Sequence, residues 1–196
     1  MPKILPDIQN KILTIAERHF KDYGFEKTDM REIATESNAA VGTIYLHYQN
    51  KEELYLKVIR NSWKKTLEKI QVIAQKTIPA EELLSEIVLL LIKEMTNRKS
   101  HESLWLEIGS FHHYKFTQET VNDQFSGFRD PITSILGGLI QRMAIENGKS
   151  IDESTCSQLG SFAFIMTVDI CMQDSKNAVE QVDLITTMLA AYLKQQ

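Results

Sequence analysis

Apolar residues recur at helical spacing along nearly the whole chain, and almost nowhere with the alternation of a half-buried strand. From Asp7, a suitable N-cap, to Tyr23, the residues Ile8, Ile12, Ile15, Ala16 and Phe20 share one face, and Gly24 supplies the stop. His19 lies beside this stripe as a half-buried packing residue. A short helix, Asp29 to Ser37, aligns Met30, Ile33 and Ala34, and Asp29 with Glu32 has the spacing of a capping box. Asn38 follows where a helix ends in a left-handed residue. From Ala40 to Tyr48 the pattern places Val41, Ile44 and Tyr48 inward, Thr43 and His47 outward, and Tyr45 and Leu46 at the edges. Two short helices joined by a tight turn form a helix-turn-helix.

Asn50, with Glu53 at N3, opens a long helix carrying Leu54, Val58, Trp63, Leu67 and Ile70 and running on to Pro79. Glu81-Glu82 opens the next, with a broad apolar face from Leu83 to Met95. Residues 103–116 form an unusually aromatic helix containing Trp105, Phe111 and Tyr114. The stripe from Val121 to Met143 then crosses Pro131 without a reset. That favours one kinked helix from about Gln118 to Glu146 over two, for which Asp130-Pro131 would supply N-cap and N1. Gly137-Gly138 costs about 1 kcal/mol per residue relative to Ala, so a neighbouring helix is expected to approach closely there. Ser150 and Glu153 have capping-box spacing before a helix that is apolar nearly all round and contains the small residues Gly160, Ser161 and Ala163. A last helix, about Ala178 to Lys194, adds Val182, Ile185 and Leu189. The chain therefore reads as all-α with about nine helices: a three-helix head in residues 1–50 and a helical body in residues 51–196.

Composition narrows the choice of partners. The net charge of -4 argues at first against nucleic acid, but it is unevenly distributed. Residues 1–70 carry 12 Lys/Arg against 10 Asp/Glu, whereas residues 71–196 carry 10 against 16. An acidic chain with its cations at one end can still bind DNA there. Cys156 and Cys171 would lie roughly 22 Å apart along one helix and cannot pair within it. They read as buried small residues in a reduced, cytoplasmic protein. No signal peptide opens the sequence, and the longest uncharged run is too short for a membrane span. G-x-S-x-G, H-E-x-x-H, a phosphate-binding glycine loop and paired cysteine ligands are all missing from the sequence, so no enzyme, cofactor or metal site is expected. His112 and His113 diverge by about 100° on a helix and cannot share an ion.

The runs YGFEKTDMREIA and VGTIYLHYQNKEEL resemble the N-terminal DNA-binding domain of the TetR family of bacterial transcriptional regulators. The similarity spans roughly Ile8 to Ile59, and it departs from the family habit at two positions. Ala40 stands where a Ser or Thr usually caps the recognition helix, and Val41 where Lys or Arg is common. The resemblance implies a homodimer joined through its last two helices, a palindromic operator in double-stranded DNA, and a small-molecule effector bound in the body. Carried over residue by residue, it implies that Thr28 donates to phosphate and that Gly42 lets the backbone approach DNA. It further implies that Thr43 and Tyr45 touch phosphate or a thymine methyl, that His47 and Lys51 touch phosphates, and that Ala40 and Val41 open the reading helix.

For the effector, Trp105, Ile108, Phe111, His112, Phe116, Phe125 and Phe128 offer apolar walls with one polar group, suited to a hydrophobic or aromatic molecule. Two further classes fit the same residues: an effector-independent architectural DNA binder, and a helical ligand-binding protein that has lost specific DNA binding. Replacing Val41 with Lys should tighten DNA binding and steepen its salt dependence by about one unit of log-log slope. Anisotropy titrations at several salt concentrations measure both, and an unchanged slope removes the idea that a cation is missing there.

Overall fold

The computed structural model of the chain describes residues 6–97, 118–172 and 177–195. These residues form eight α-helices and no strand: α1 (Pro6–Lys27), α2 (Met30–Ser37), α3 (Val41–His47), α4 (Lys51–Ala74), α5 (Ala80–Asn97), α6 (Gln118–Glu146), α7 (Glu153–Met172) and α8 (Ala178–Gln195). The aromatic helix expected over 103–116 lies outside the described residues. The chain divides into two compact units. One contains α1 to α3 and α4 as far as Lys64; the other contains the rest of α4, α5, α6 from Ser126, α7 and α8.

In the first unit, α1 is interrupted at Gly24, whose φ of 78° and ψ of 170° suit glycine alone, and a short turn continues to Lys27. The break brings Phe25 back beside Phe20, 6.1 Å between ring centroids, and Tyr55 of α4 packs on both rings at 4.8 and 5.1 Å. Ile12, Ala16, Ile33, Ile44 and Leu54 complete the core with no or almost no exposed surface. His19 is buried rather than half-buried. Its Nε2 is 3.2 Å from the Glu36 carboxylate on α2, and Glu36 also meets Arg18. The capping box of α2 is half formed. Asp29 accepts the Arg31 N–H at 2.7 Å, while the Glu32 carboxylate is 3.9 Å from His19 Nδ1. At the start of α4, Asn50 accepts the Glu53 N–H at 2.7 Å, and Glu53 accepts the Gln49 N–H at 2.7 Å.

In the second unit, α4 ends at Ala74 and not at Pro79. A residue before proline is disfavoured in helical geometry, and the last turns unwind through Lys76, whose N–H donates to Ile73 O. The helix α5 is capped from a distance. Its first N–H, on Ala80, donates to the Glu146 carboxylate at the end of α6 (2.9 Å), and Arg142 donates to Ile78 O (2.6 Å). The Ala80 N–H, followed by Arg142, holds the Glu146 carboxyl below the usual range. One helix, α6, runs through Pro131. The cap of α7 is Asp152 and not Ser150, with Asp152 accepting both the N–H and the hydroxyl of Thr155 at 2.9 and 2.6 Å. Those bonds lower its pKa. Asp is as good an N-cap as Ser and stands one residue before the helix, so the capping-box spacing two residues earlier is not used. Both cysteines are buried thiols, and burial raises the Cys156 pKa.

The helices α6 and α7 cross at glycines. A Cβ on Gly137 would lie 2.8 Å from Cys156 O, and one on Gly160 would lie 2.4 Å from Thr133 O and 2.6 Å from Gly137 N. Gly138, in contrast, faces open space. Gly160→Ala should therefore destabilise the protein by about 1–3 kcal/mol through overpacking, and Gly138→Ala should stabilise it by up to about 1 kcal/mol through helix propensity. Thermal melts of the two variants test the crossing, and shifts of the same sign would remove this account of it.

Candidate nucleic-acid interface

The second helix of the helix-turn-helix, α3, has seven residues and buries one of them completely, Ile44. A helix so short is not stable alone, so its direction is set at its two ends. Before it, Asn38 adopts the left-handed conformation (φ 56°, ψ 38°). The Asn38 N–H donates to Thr35 O and the Ala39 N–H to Ala34 O, a Schellman end that closes α2 and turns the chain. After it, Tyr48 is buried, and burial followed by the Glu53 charge raises the pKa of its phenol. Ala40 occupies the N-cap position with extended backbone and no side-chain cap.

Successive helical residues turn by about 100°, so Val41, Tyr45, Gly42 and Leu46 span an arc of about 140° opposite the buried side of α3. Exposure follows that arc: Val41 is 36% exposed, Tyr45 49% and Leu46 85%. Gly42 is exposed, and a Cβ built on it meets nothing within 4 Å. Nothing in its own surroundings therefore requires glycine at this position. Val41 corrects the sequence reading, which placed it inward. Helical side chains lean toward the N-terminus, and at the first residue of a helix that direction leads past the end of the element. Thr43 and His47, expected to face away from the core, are half-buried. The His47 Nδ1 is 2.8 Å from the amide nitrogen of Gln9 on α1.

Two polar residues expected at the DNA surface have partners within the head. Thr28 is buried, and its hydroxyl donates to Gly24 O at 2.7 Å, fastening the turn that follows the glycine break. Lys51 folds back over the end of α1. Its ammonium donates to Glu26 O (3.1 Å) and Thr28 O (3.2 Å) and stands 4.6 Å from the centre of the Phe25 ring. The carbonyls at the end of α1 carry the partial negative charge of a helix C-terminus and so compete with phosphate for this cation. Sequence spacing did not reveal that competition.

Of the effector candidates, Trp105, Ile108, Phe111, His112 and Phe116 lie outside the described residues, as does the side chain of Phe125. Phe128 is buried. Among the described residues no group of three or more His, Cys, Asp or Glu could hold a metal ion, and no helix is long and apolar enough to cross a membrane. The sequence reading missed the outward position of Leu46 and the bond from Gln9. The signal for Leu46 was present, because two residues along a helix from buried Ile44 lies roughly its opposite side. Nothing in the sequence pointed to Gln9.

Residues 12–58 match the family model of the bacterial regulatory proteins of the tetR family. The chain is 27% identical over 96 residues to the uncharacterised HTH-type transcriptional regulator YhgD of Bacillus subtilis, a match spanning 49% of this chain and 49% of that protein. It thus spans about half the length of that curated relative. A TetR/AcrR-family regulator from Thermobifida fusca has a similar structure (TM-score 0.69, 17% identity, 93% of this chain and 96% of that one). The regulator FadR from Bacillus subtilis, solved with stearoyl-CoA, is also similar (TM-score 0.65, 16% identity, 93% and 97%). At such identities the structural likeness shows the fold, while the family-model match is confined to residues 12–58. Over residues 12–58 the chain is thus similar to the bacterial regulatory proteins of the tetR family, and its all-helical fold is like that of a solved TetR/AcrR-family regulator.

Proposed function

We propose that the chain is a homodimeric cytoplasmic regulator that represses transcription from a palindromic operator and is released by a small hydrophobic effector. The observation that carries this reading is the outward arc of α3. Val41, Gly42, Tyr45 and Leu46 are free of the core, and a glycine stands where no internal contact needs one. In this reading residues 1–50 form the DNA-binding head and residues 51–196 the body. Ala40, Val41, Gly42, Thr43 and Tyr45 lie against the groove, and His47, held by Gln9, flanks it. Thr28 and Lys51 act by fixing the turn between α1 and α2 instead of by direct phosphate contact.

An exposed apolar stripe supports the dimer. Leu184, Met188 and Tyr192 follow one another at four-residue spacing on α8, and Phe162 and Ile165 are exposed on α7. A two-fold interface there suits a palindrome, because an isologous pair presents two equivalent reading helices. The effector acts by population shift: it favours a body conformation in which the two heads no longer match successive major grooves, and its differential affinity sets the response. The stearoyl-CoA in the B. subtilis FadR structure makes long-chain acyl-CoA the first compound class to test. Trp105, Ile108, Phe111, His112, Phe116, Phe125 and Phe128 are its proposed lining.

A second reading is favoured by the uncapped Ala40 and by the inward turn of Thr28 and Lys51, which lower the expected phosphate affinity. In it, the chain is a ligand-binding protein without specific DNA recognition. Fluorescence anisotropy with duplexes from the gene's own upstream region, in excess unrelated competitor, separates the two. The first reading expects competitor-resistant binding that oleoyl- or stearoyl-CoA reverses. It also expects Gly42→Ala to weaken binding by more than about tenfold, or about 1.4 kcal/mol, while the melting temperature holds or rises slightly. Binding that competitor abolishes, or that Gly42→Ala leaves intact, counts against it.

A further inference from the structure

We infer that Leu46, with Val41 at the other end of the outward arc of α3, reads thymine methyl groups in the major groove. Apolar contact would then give the operator its specificity at positions where a guanine-reading cation is missing. This inference rests on the DNA-binding reading above and goes beyond it by naming what the helix recognises.

Leu46 is the most exposed large hydrophobic residue described, at 85%, although it lies within a seven-residue helix whose neighbouring turns are well packed. The fold makes no use of its side chain. Around it the outward arc offers an isopropyl group from Val41, a hydrogen from Gly42, a phenol from Tyr45 and an isobutyl group from Leu46. Lys, Arg, Asn, Gln, Asp and Glu are all absent from α3. Lys51, which starts the next helix, is bound to Glu26 O and Thr28 O.

Each base pair shows the major groove a distinct set of donors and acceptors, but the C5-methyl of thymine is the one apolar group among them. Side chains such as Leu46 and Val41 cannot hydrogen-bond guanine O6 and N7 or adenine N6 and N7. What they can distinguish is a methyl group from its absence. The open space at Gly42 favours the close approach that such short-range contacts need, since dispersion and apolar burial decay within the first contact shell.

The test uses the full-length protein and a duplex enriched from a random-sequence library. That duplex is resynthesised with deoxyuridine replacing thymidine one position at a time, which removes one methyl and leaves every hydrogen-bonding group in place. Wild type should bind at least one such duplex about fourfold more weakly per half-site, the effect of withdrawing one buried methyl. Leu46→Ala should weaken binding to the thymidine duplex by a similar factor and bind the thymidine and deoxyuridine duplexes equally, a coupling that merely additive losses cannot produce. Leu46→Met should keep the discrimination, and the melting temperatures of both variants should match wild type because the side chain is exposed. An enriched duplex that binds equally well with deoxyuridine at every position overturns the inference and leaves the DNA-binding reading standing. A library that yields no enriched duplex overturns both. Discrimination that persists in Leu46→Ala moves the reading away from this residue and overturns its assignment.

Discussion

A single buried isoleucine fixes the helix on which the head depends. Seven residues cannot hold a helix in water, because so few intrahelical bonds do not offset the cost of nucleation. The helix α3 therefore exists through its attachments: Ile44 in the core, the left-handed Asn38 before it and buried Tyr48 after it. This economy has a functional consequence. With Ile44 anchored and Thr43 and His47 half-buried, an arc of about 140° stays free, and the sequence of α3 can vary on that side without loss of fold. A reading element needs that separation between the residue that places it and the residues that recognise.

The same head uses its polar groups to fix geometry. Gly24 breaks α1, Thr28 closes the break through its hydroxyl, and Lys51 joins the start of α4 to the carbonyls that the break exposes, with the Phe25 ring beneath its ammonium. Phe20, Phe25 and Tyr55 pack behind that joint. A cation committed to carbonyl oxygens and an aromatic face contributes less to phosphate binding and more to the angle between α1 and α4. With Val41 also apolar, the proposed DNA-binding reading has the head depend less on charge and more on shape and apolar contact. A DNA complex formed this way loses less affinity as salt is raised than one held by many ion pairs.

Helical periodicity sufficed for the all-α class and for the helix-turn-helix, because each helix there carries a local signal that tertiary packing does not override. Asn38 was legible since few residues tolerate the left-handed region, and Gly24 for the same reason. The continuous α6 was legible because its apolar stripe does not change phase at Pro131. Partners distant in sequence were hidden. Glu146 caps α5 across 66 residues, and Lys51 reaches back 23 residues to Thr28 O. Both are charged groups satisfying helix ends, and no local pattern records which distant end a charge will find. The inward placement of Val41 failed for another reason. Periodicity assigns faces as if helices were long, whereas in seven residues the ends decide.

In the body, the sequence feature that looked most like a weakness organises the packing. Gly137 and Gly160 each cost helix propensity, yet together they let the backbones of α6 and α7 approach until a single methyl would collide with a carbonyl. Close backbone approach fixes the crossing point of two helices more tightly than side-chain packing does, because no rotamer can adjust to relieve a misfit. The apolar residues of α7 and α8 that face outward are then held in a definite pattern: Phe162 and Ile165 on one helix, Leu184, Met188 and Tyr192 on the other. A self-complementary surface requires that kind of fixed spacing, since each residue must meet its counterpart across a two-fold axis. The glycine crossing and the exposed stripe share α7. A substitution that shifts α7 against α6 would therefore move half of the proposed interface without touching any residue in it.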